Sequence, residues 1–187
     1  MFKSMKYVSY ALAAVMLLSA TFVLAEQSDQ MRARKEAVKL TKQVERSAAK
    51  IESEAHRLSS MRTNPNISKS THNYHLYMIA AEVNKQLQPA LARLNEIQPE
   101  LPGWKQEAIE QMRQSATTLA ANANAAVENR RAVSVHQPAV MDPEYGQLLS
   151  NISDQAGTLL EVADATADYA NAQLKGANAG LKIQSHN

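Results

Sequence analysis

The sequence predicts an all-α protein: an up-down-up-down antiparallel four-helix bundle following an N-terminal signal peptide. Three observations carry that expectation. Leu76, Ala80, Val83, Leu87, Ala90, Leu94, Ile97 and Leu101 fall alternately four and three residues apart, which keeps all eight on one stripe of a helix and demands partner helices to cover them. Three further segments repeat the rhythm. The connections between them are short, and short connections force neighbouring helices to run in opposite directions.

Residues 1–25 read as an address. Lys3 and Lys6 precede an apolar run, and Val23-Leu24-Ala25 places small or modest residues at the −3 and −1 positions of a signal-peptidase site. Cleavage after Ala25 sends the mature chain to the periplasm or the exterior. The alternative is an uncleaved anchor over Tyr7–Leu24, the membrane contact then passing through this segment alone. Of the 20 basic residues two lie in this leader, so the mature chain has 18 against 18 acidic residues and is formally neutral. Basicity is therefore no argument for nucleic acid. With no Cys, the chain has no disulfide, thiolate metal site, lipoprotein anchor or covalent c-type haem. Residues 26–176 are long enough for one domain with one core, the bundle.

The first helix is expected from Ser28 to Met61, capped by Ser28, with Thr41, Val44, Ala48, Ile51, Ala55 and Leu58 as its stripe. Its other faces are basic: Arg32, Arg34, Lys35, Lys39, Lys42, Arg46 and Lys50 outnumber Glu36, Glu45 and Glu52. Thr63-Asn64-Pro65-Asn66 ends it. The second helix starts near Ser70 or Thr71 and ends before Pro99. Pro89 lies inside it, where a missing donor and a ring clash cost about 3 kcal/mol in regular geometry. The apolar phase passes through Pro89 unbroken, so a kink is expected rather than a stop.

The third helix runs from Trp104 to Ala132 on Ile109, Met112, Ala116, Leu119, Ala123 and Ala126, with Trp104 plugging the end of the core. Asp142-Pro143-Glu144 starts the fourth. Its stripe is Tyr145, Leu149, Ile152, Ala156, Leu159, Ala163, Thr166 and Ala170, and Lys175-Gly176 is expected to stop it. Residues 177–187 are then a flexible tail. Glu144, Asp154, Glu161, Asp164 and Asp168 make this helix acidic, and pairing with the basic first helix accounts for both charge runs. Two long hairpins closing as a homodimer satisfy the same pattern.

The topology gathers His56, His72, His75 and His136 at one end, with Met61, Met78, Met141, Tyr74, Tyr77 and Tyr145. His72 and His75 are three apart on one helix, so both rings can reach one ion, and nearby Met turns the choice towards copper over zinc. None of the four lies on a main stripe, and the chain has no Glu-x-x-His, so a carboxylate-bridged di-metal site is not expected. No phosphate-binding glycine loop, G-x-S-x-G elbow or H-E-x-x-H occurs. Periplasmic b- and c′-type cytochromes are similar in architecture but need C-x-x-C-H, or an inward His and Met that are missing here. Chemoreceptor sensing bundles resemble the chain in helix length and Ala content but require a second membrane span. Neither resemblance passes beyond the helix pattern. The function this leaves is non-enzymatic: binding or scaffolding in the envelope, with a protein partner or a homodimer. Copper or zinc carriage by His56, His72, His75 and His136 is the alternative, and a small-molecule cavity near Pro89 a lesser one.

Overall fold

The computed structural model describes the backbone of residues 4–132 and 139–184, and the side chains of residues 30–132 and 139–172. It is all-helical, in four helices, with no strand among the described residues. α1 spans Ser4–Arg62. The second helix is composite: α2 (Lys69–Glu82), a π-helical turn (Val83–Leu87) and α3 (Gln88–Ile97) follow without interruption. A 3₁₀ turn at Gln98–Glu100 leads to α4 (Gly103–Ala132), and another at Ala139–Met141 to α5 (Pro143–Gln184).

The element starts follow side-chain capping. The Ser68 hydroxyl accepts the Thr71 N–H at 3.2 Å, so α2 begins a little before the Ser70 or Thr71 expected. Asp142 Oδ1 accepts the Tyr145 N–H at 2.9 Å and Pro143 takes the first position of α5, as read from the sequence. Two expected ends are corrected. Backbone helix continues through Ser28, which is no cap, and through Lys175-Gly176, which is no stop. A glycine ends a helix by turning to positive φ, and among the described residues no glycine does so. In helical φ it costs only about 1 kcal/mol against alanine. The side chains of the leader and of the tail lie outside the described residues, as does His136.

The core follows the expected stripes, with Val44, Ile51, Leu58, Leu94, Met112, Leu119, Leu149 and Leu159 fully buried. One position differs. Ile79 is buried where Ala80 was expected, so the spacing reads Leu76, Ile79, Val83, Leu87: two fours in succession. The π turn absorbs this. Its wider coil has more residues per turn, and the Gln88 N–H reaches back five residues to the Val83 carbonyl. The same turn resets the helix so that Pro89 falls in the first turn of α3, where a proline needs no donor. The disturbance expected at Pro89 thus takes the form of a π turn that ends two residues before it.

α1 packs along α5 and along α2 and α3; α4 packs along α5 and α2. The cross-helix pairs fall in opposite order on the two partners. Along α1 and the second helix they are Glu36 with Arg93 (2.6 Å), Lys50 with Glu82 (2.6 Å) and Glu54 with His75 (2.6 Å). Along α1 and α5, Glu52 lies against Gly157, His56 against Ser153 and Arg62 against Gly146. The expected pairing of basic α1 with acidic α5 is not made: among the described residues no ion pair joins them. Small residues on the α1–α5 seam bring the helices close, and a Cβ at Gly157 would stand 3.3 Å from the Glu52 carboxylate. The acids Asp154, Glu161, Asp164 and Asp168 are left on the outer, exposed face. The charges of α1 instead meet the second helix.

Candidate functional site

The end of the molecule where α1 and α4 finish and α2 and α5 begin carries a buried polar cluster. His72, in the first turn of α2, is four residues before Leu76 and so continues its stripe inward. It is 1% exposed. This corrects the reading that no histidine lies on a stripe. His72 Nδ1 lies 3.2 Å from the Tyr145 hydroxyl, their rings edge to face at 5.7 Å. Arg130, in the last turn of α4, is equally buried, and its guanidinium lies over the Tyr145 ring at 5.1 Å. Its Nη1 stands 3.9 Å from Asp142 Oδ2, an ion pair too long for a hydrogen bond.

Several groups here have no hydrogen-bond partner: His72 Nε2, Arg130 Nε and Nη1, Asp142 Oδ2 and Asn129 Oδ1. Unmet polar atoms in an interior cost roughly 1–3 kcal/mol each and are ordinarily satisfied by ordered water. Burial, reinforced by the Arg130 charge and then by His75, lowers the His72 pKa to about 4, so the ring is neutral at neutral pH. Burial also pushes the Tyr145 hydroxyl well above its ordinary value. The cluster is thus a neutral imidazole, a neutral phenol and one charged pair.

The other predicted histidines go elsewhere. His75 Nδ1 meets Glu54 Oε2 on α1 at 2.6 Å, and its ring stands edge-on to Tyr74. His56 is exposed; its Nε2 lies 3.2 Å from the Ser153 hydroxyl and 3.9 Å from Glu52. So the end gathers His56, His72 and His75 without converging them. His72 turns to α5, His75 to α1. Among the described residues no three His, Asp or Glu side chains form a group able to hold a metal ion.

Outside the cluster a groove of about 460 Å³ separates α2 from α4, lined by Asn73, Leu76, Tyr77, Ala80, Asn124, Val127, Glu128 and Arg131. Of the tyrosines at this end Tyr74 is 59% and the groove-lining Tyr77 61% exposed, and Val140 and Met141 are exposed before α5. Single exposed apolar side chains are ordinary and only a grouping of them is informative; four of the five large ones in the described chain belong to this end, and the fifth is Tyr169. A second, smaller groove of about 230 Å³ lies between α3 and α4 beside Pro89, lined by Gln88, Leu91 and Asn95 among others.

Comparison with protein-family models, curated proteins and solved structures returns no match for this chain. Two residues of the cluster escaped the sequence reading, Arg130 and the pairing role of Asp142. Arg130 was legible: Ala123, Ala126 and Arg130 continue the alternation of three and four. A charged residue in apolar phase is the signal.

Proposed function

We propose that this chain is an exported, non-enzymatic binding protein, an up-down-up-down antiparallel four-helix bundle whose tyrosine-rich end engages a protein partner in the periplasm or cell envelope. The observation that carries the reading is the concentration of exposed Tyr74, Tyr77, Val140 and Met141 at one end, where Tyr77 lines the α2–α4 groove. Tyrosine supplies large contact area at low conformational cost and is enriched at protein interfaces. The opposite order of the cross-helix pairs supports the antiparallel arrangement, and the amides of Asn73 and Asn124 suit a polar rim. The His72–Tyr145–Arg130 cluster behind the groove fixes the end rather than reacting, since its ring nitrogens and hydroxyl are enclosed.

The test is site-specific photocrosslinking in cells. A photoreactive residue at Tyr77 is expected to trap one partner, and Tyr74→Ser, with Tyr77 retained as the crosslinking position, to reduce the yield at least fivefold. A crosslinker at Tyr77 that captures nothing, or the same proteins as one on the outer face of α5, contradicts the reading. Capture of the chain itself identifies the partner as a second copy. The metal alternative is separable: copper or zinc titration of the wild type and of the His72→Ala, His75→Ala double variant gives saturable binding lost in the variant if these residues carry an ion.

A further inference from the structure

The opposite end of the molecule holds two cations, Lys105 and Arg34, for which the described residues supply no acidic partner. Lys105 is four residues before Ile109, hence on the α4 stripe, and is 3% exposed. Trp104, expected to plug this end, instead lies aside, its ring edge-on to Tyr169 at 4.5 Å, and Lys105 takes the inward position. The Lys105 ammonium forms no hydrogen bond or ion pair among the described residues; it stands 5.3 Å from the centre of the Trp104 ring. Arg34 reaches the same place from α1, and its Nε is buried without an acceptor. Burial, and after it repulsion from Arg34, hold the Lys105 pKa below its ordinary value. α1 and α4 do not pack along one another, so these side chains meet at the mouth of the core rather than on a helix–helix seam.

The backbone adds to the field. α4 has 30 residues, its positive end lies here, and its first turn contains no acid. Outside, Arg32, Lys35 and Lys39 line a basic groove of about 470 Å³ on α1, in which the one carboxylate, Glu36, is already held by Arg93 at 2.6 and 3.2 Å. A buried cation without a counterion is costly, and a half-buried second one beside a helix N-terminus adds to the cost. An oxyanion with several acceptor atoms removes that cost at once.

From this juxtaposition we infer that Lys105 and Arg34, with the positive end of the α4 dipole beside them, form a receptor for a phosphate group. Lys105 acts as the buried point charge, and Arg34 offers the planar fork that phosphate oxygens match. Arg32, Lys35 and Lys39 draw the anion in. The site lies at the other end from the tyrosine-rich surface and stands independently of it.

Trp104 is the chain's single tryptophan and touches Lys105, so its fluorescence reports occupancy. The purified chain is titrated at constant ionic strength with inorganic phosphate, with chloride as control, and with phosphatidylglycerol against phosphatidylcholine vesicles. A saturable change with phosphate identifies a soluble phosphate ligand; one with phosphatidylglycerol alone identifies a lipid headgroup. Either is expected to weaken at least tenfold in Lys105→Met, and the melting temperature to rise by roughly 5–10 °C at a hundredfold excess of phosphate over Kd if phosphate is the ligand. Should Lys105→Met not fold, Arg34→Gln, at a half-buried position, carries the same expectation. No saturable change with either probe, or an unaltered response in a folded Lys105→Met or Arg34→Gln, overturns the assignment.

Discussion

His72, Arg130, Lys105 and Arg34 are polar residues that helical phase turns inward. The consequences are measurable one residue at a time. His72 holds fewer protons folded than unfolded between its lowered pKa of about 4 and the ordinary 6.5. Its contribution to stability is therefore complete above pH 6.5, lost as pH falls towards 4, and constant below. The slope approaches about 1.4 kcal/mol per pH unit. Urea unfolding across pH 4–7 is expected to show this slope in the wild type and a flatter profile in His72→Gln. Asp142→Asn retains the α5 cap but strips the countercharge from buried Arg130, and is expected to cost roughly 3 kcal/mol. Arg130→Met combined with Asp142→Ser is expected to recover most of that loss, because an apolar replacement of the whole pair leaves no lone charge. Thermal unfolding of the three proteins decides it.

At the scale of elements, the second helix shows what periodicity can and cannot reveal. The stripe from Leu76 to Leu101 was legible, and so was a disturbance at Pro89. Its form was not, because Ile79 and Ala80 both fit an apolar stripe and only volume decides which is buried. Ile79 wins, and the two successive fours that follow require the wider turn at Val83–Leu87. Packing of Leu76 and Ile79 before the turn, of Val83 and Leu87 within it, and of Ala90 and Leu94 after it holds the π geometry in place. Pro89→Ala is accordingly expected to change stability by less than about 1 kcal/mol, against the gain of about 3 kcal/mol that removing a proline from a regular helix brings. Denaturant titration checks this. The continuation of α1 through Ser28 and of α5 through Gly176 has a different cause. Capping residues permit a helix end, but they do not impose one where the backbone keeps helical φ.

At the scale of the molecule, the four apolar stripes were the most legible feature and the ion pairs the least. A stripe is set within one helix by its own spacing, whereas a surface pair depends on how each helix is rotated against its neighbour and contributes under about 1 kcal/mol to fixing that rotation. The close α1–α5 seam keeps the acids of α5 on its outer face, which the charge count alone did not foresee. It also leaves the end where Lys105 meets Arg34 without an acidic partner among the described residues. The tyrosine-rich end and the basic end both depend on the four stripes closing within one chain.

The native chain has no cysteine, so that closure can be tested with introduced pairs and a short bismaleimide bridge. His56→Cys with Ser153→Cys joins α1 to α5, and Lys50→Cys with Glu82→Cys joins α1 to α2. At micromolar concentration both are predicted to give a bridged monomer in high yield. Bridging only between two chains would mean that paired hairpins, and not a single chain, form the core, and would contradict the account.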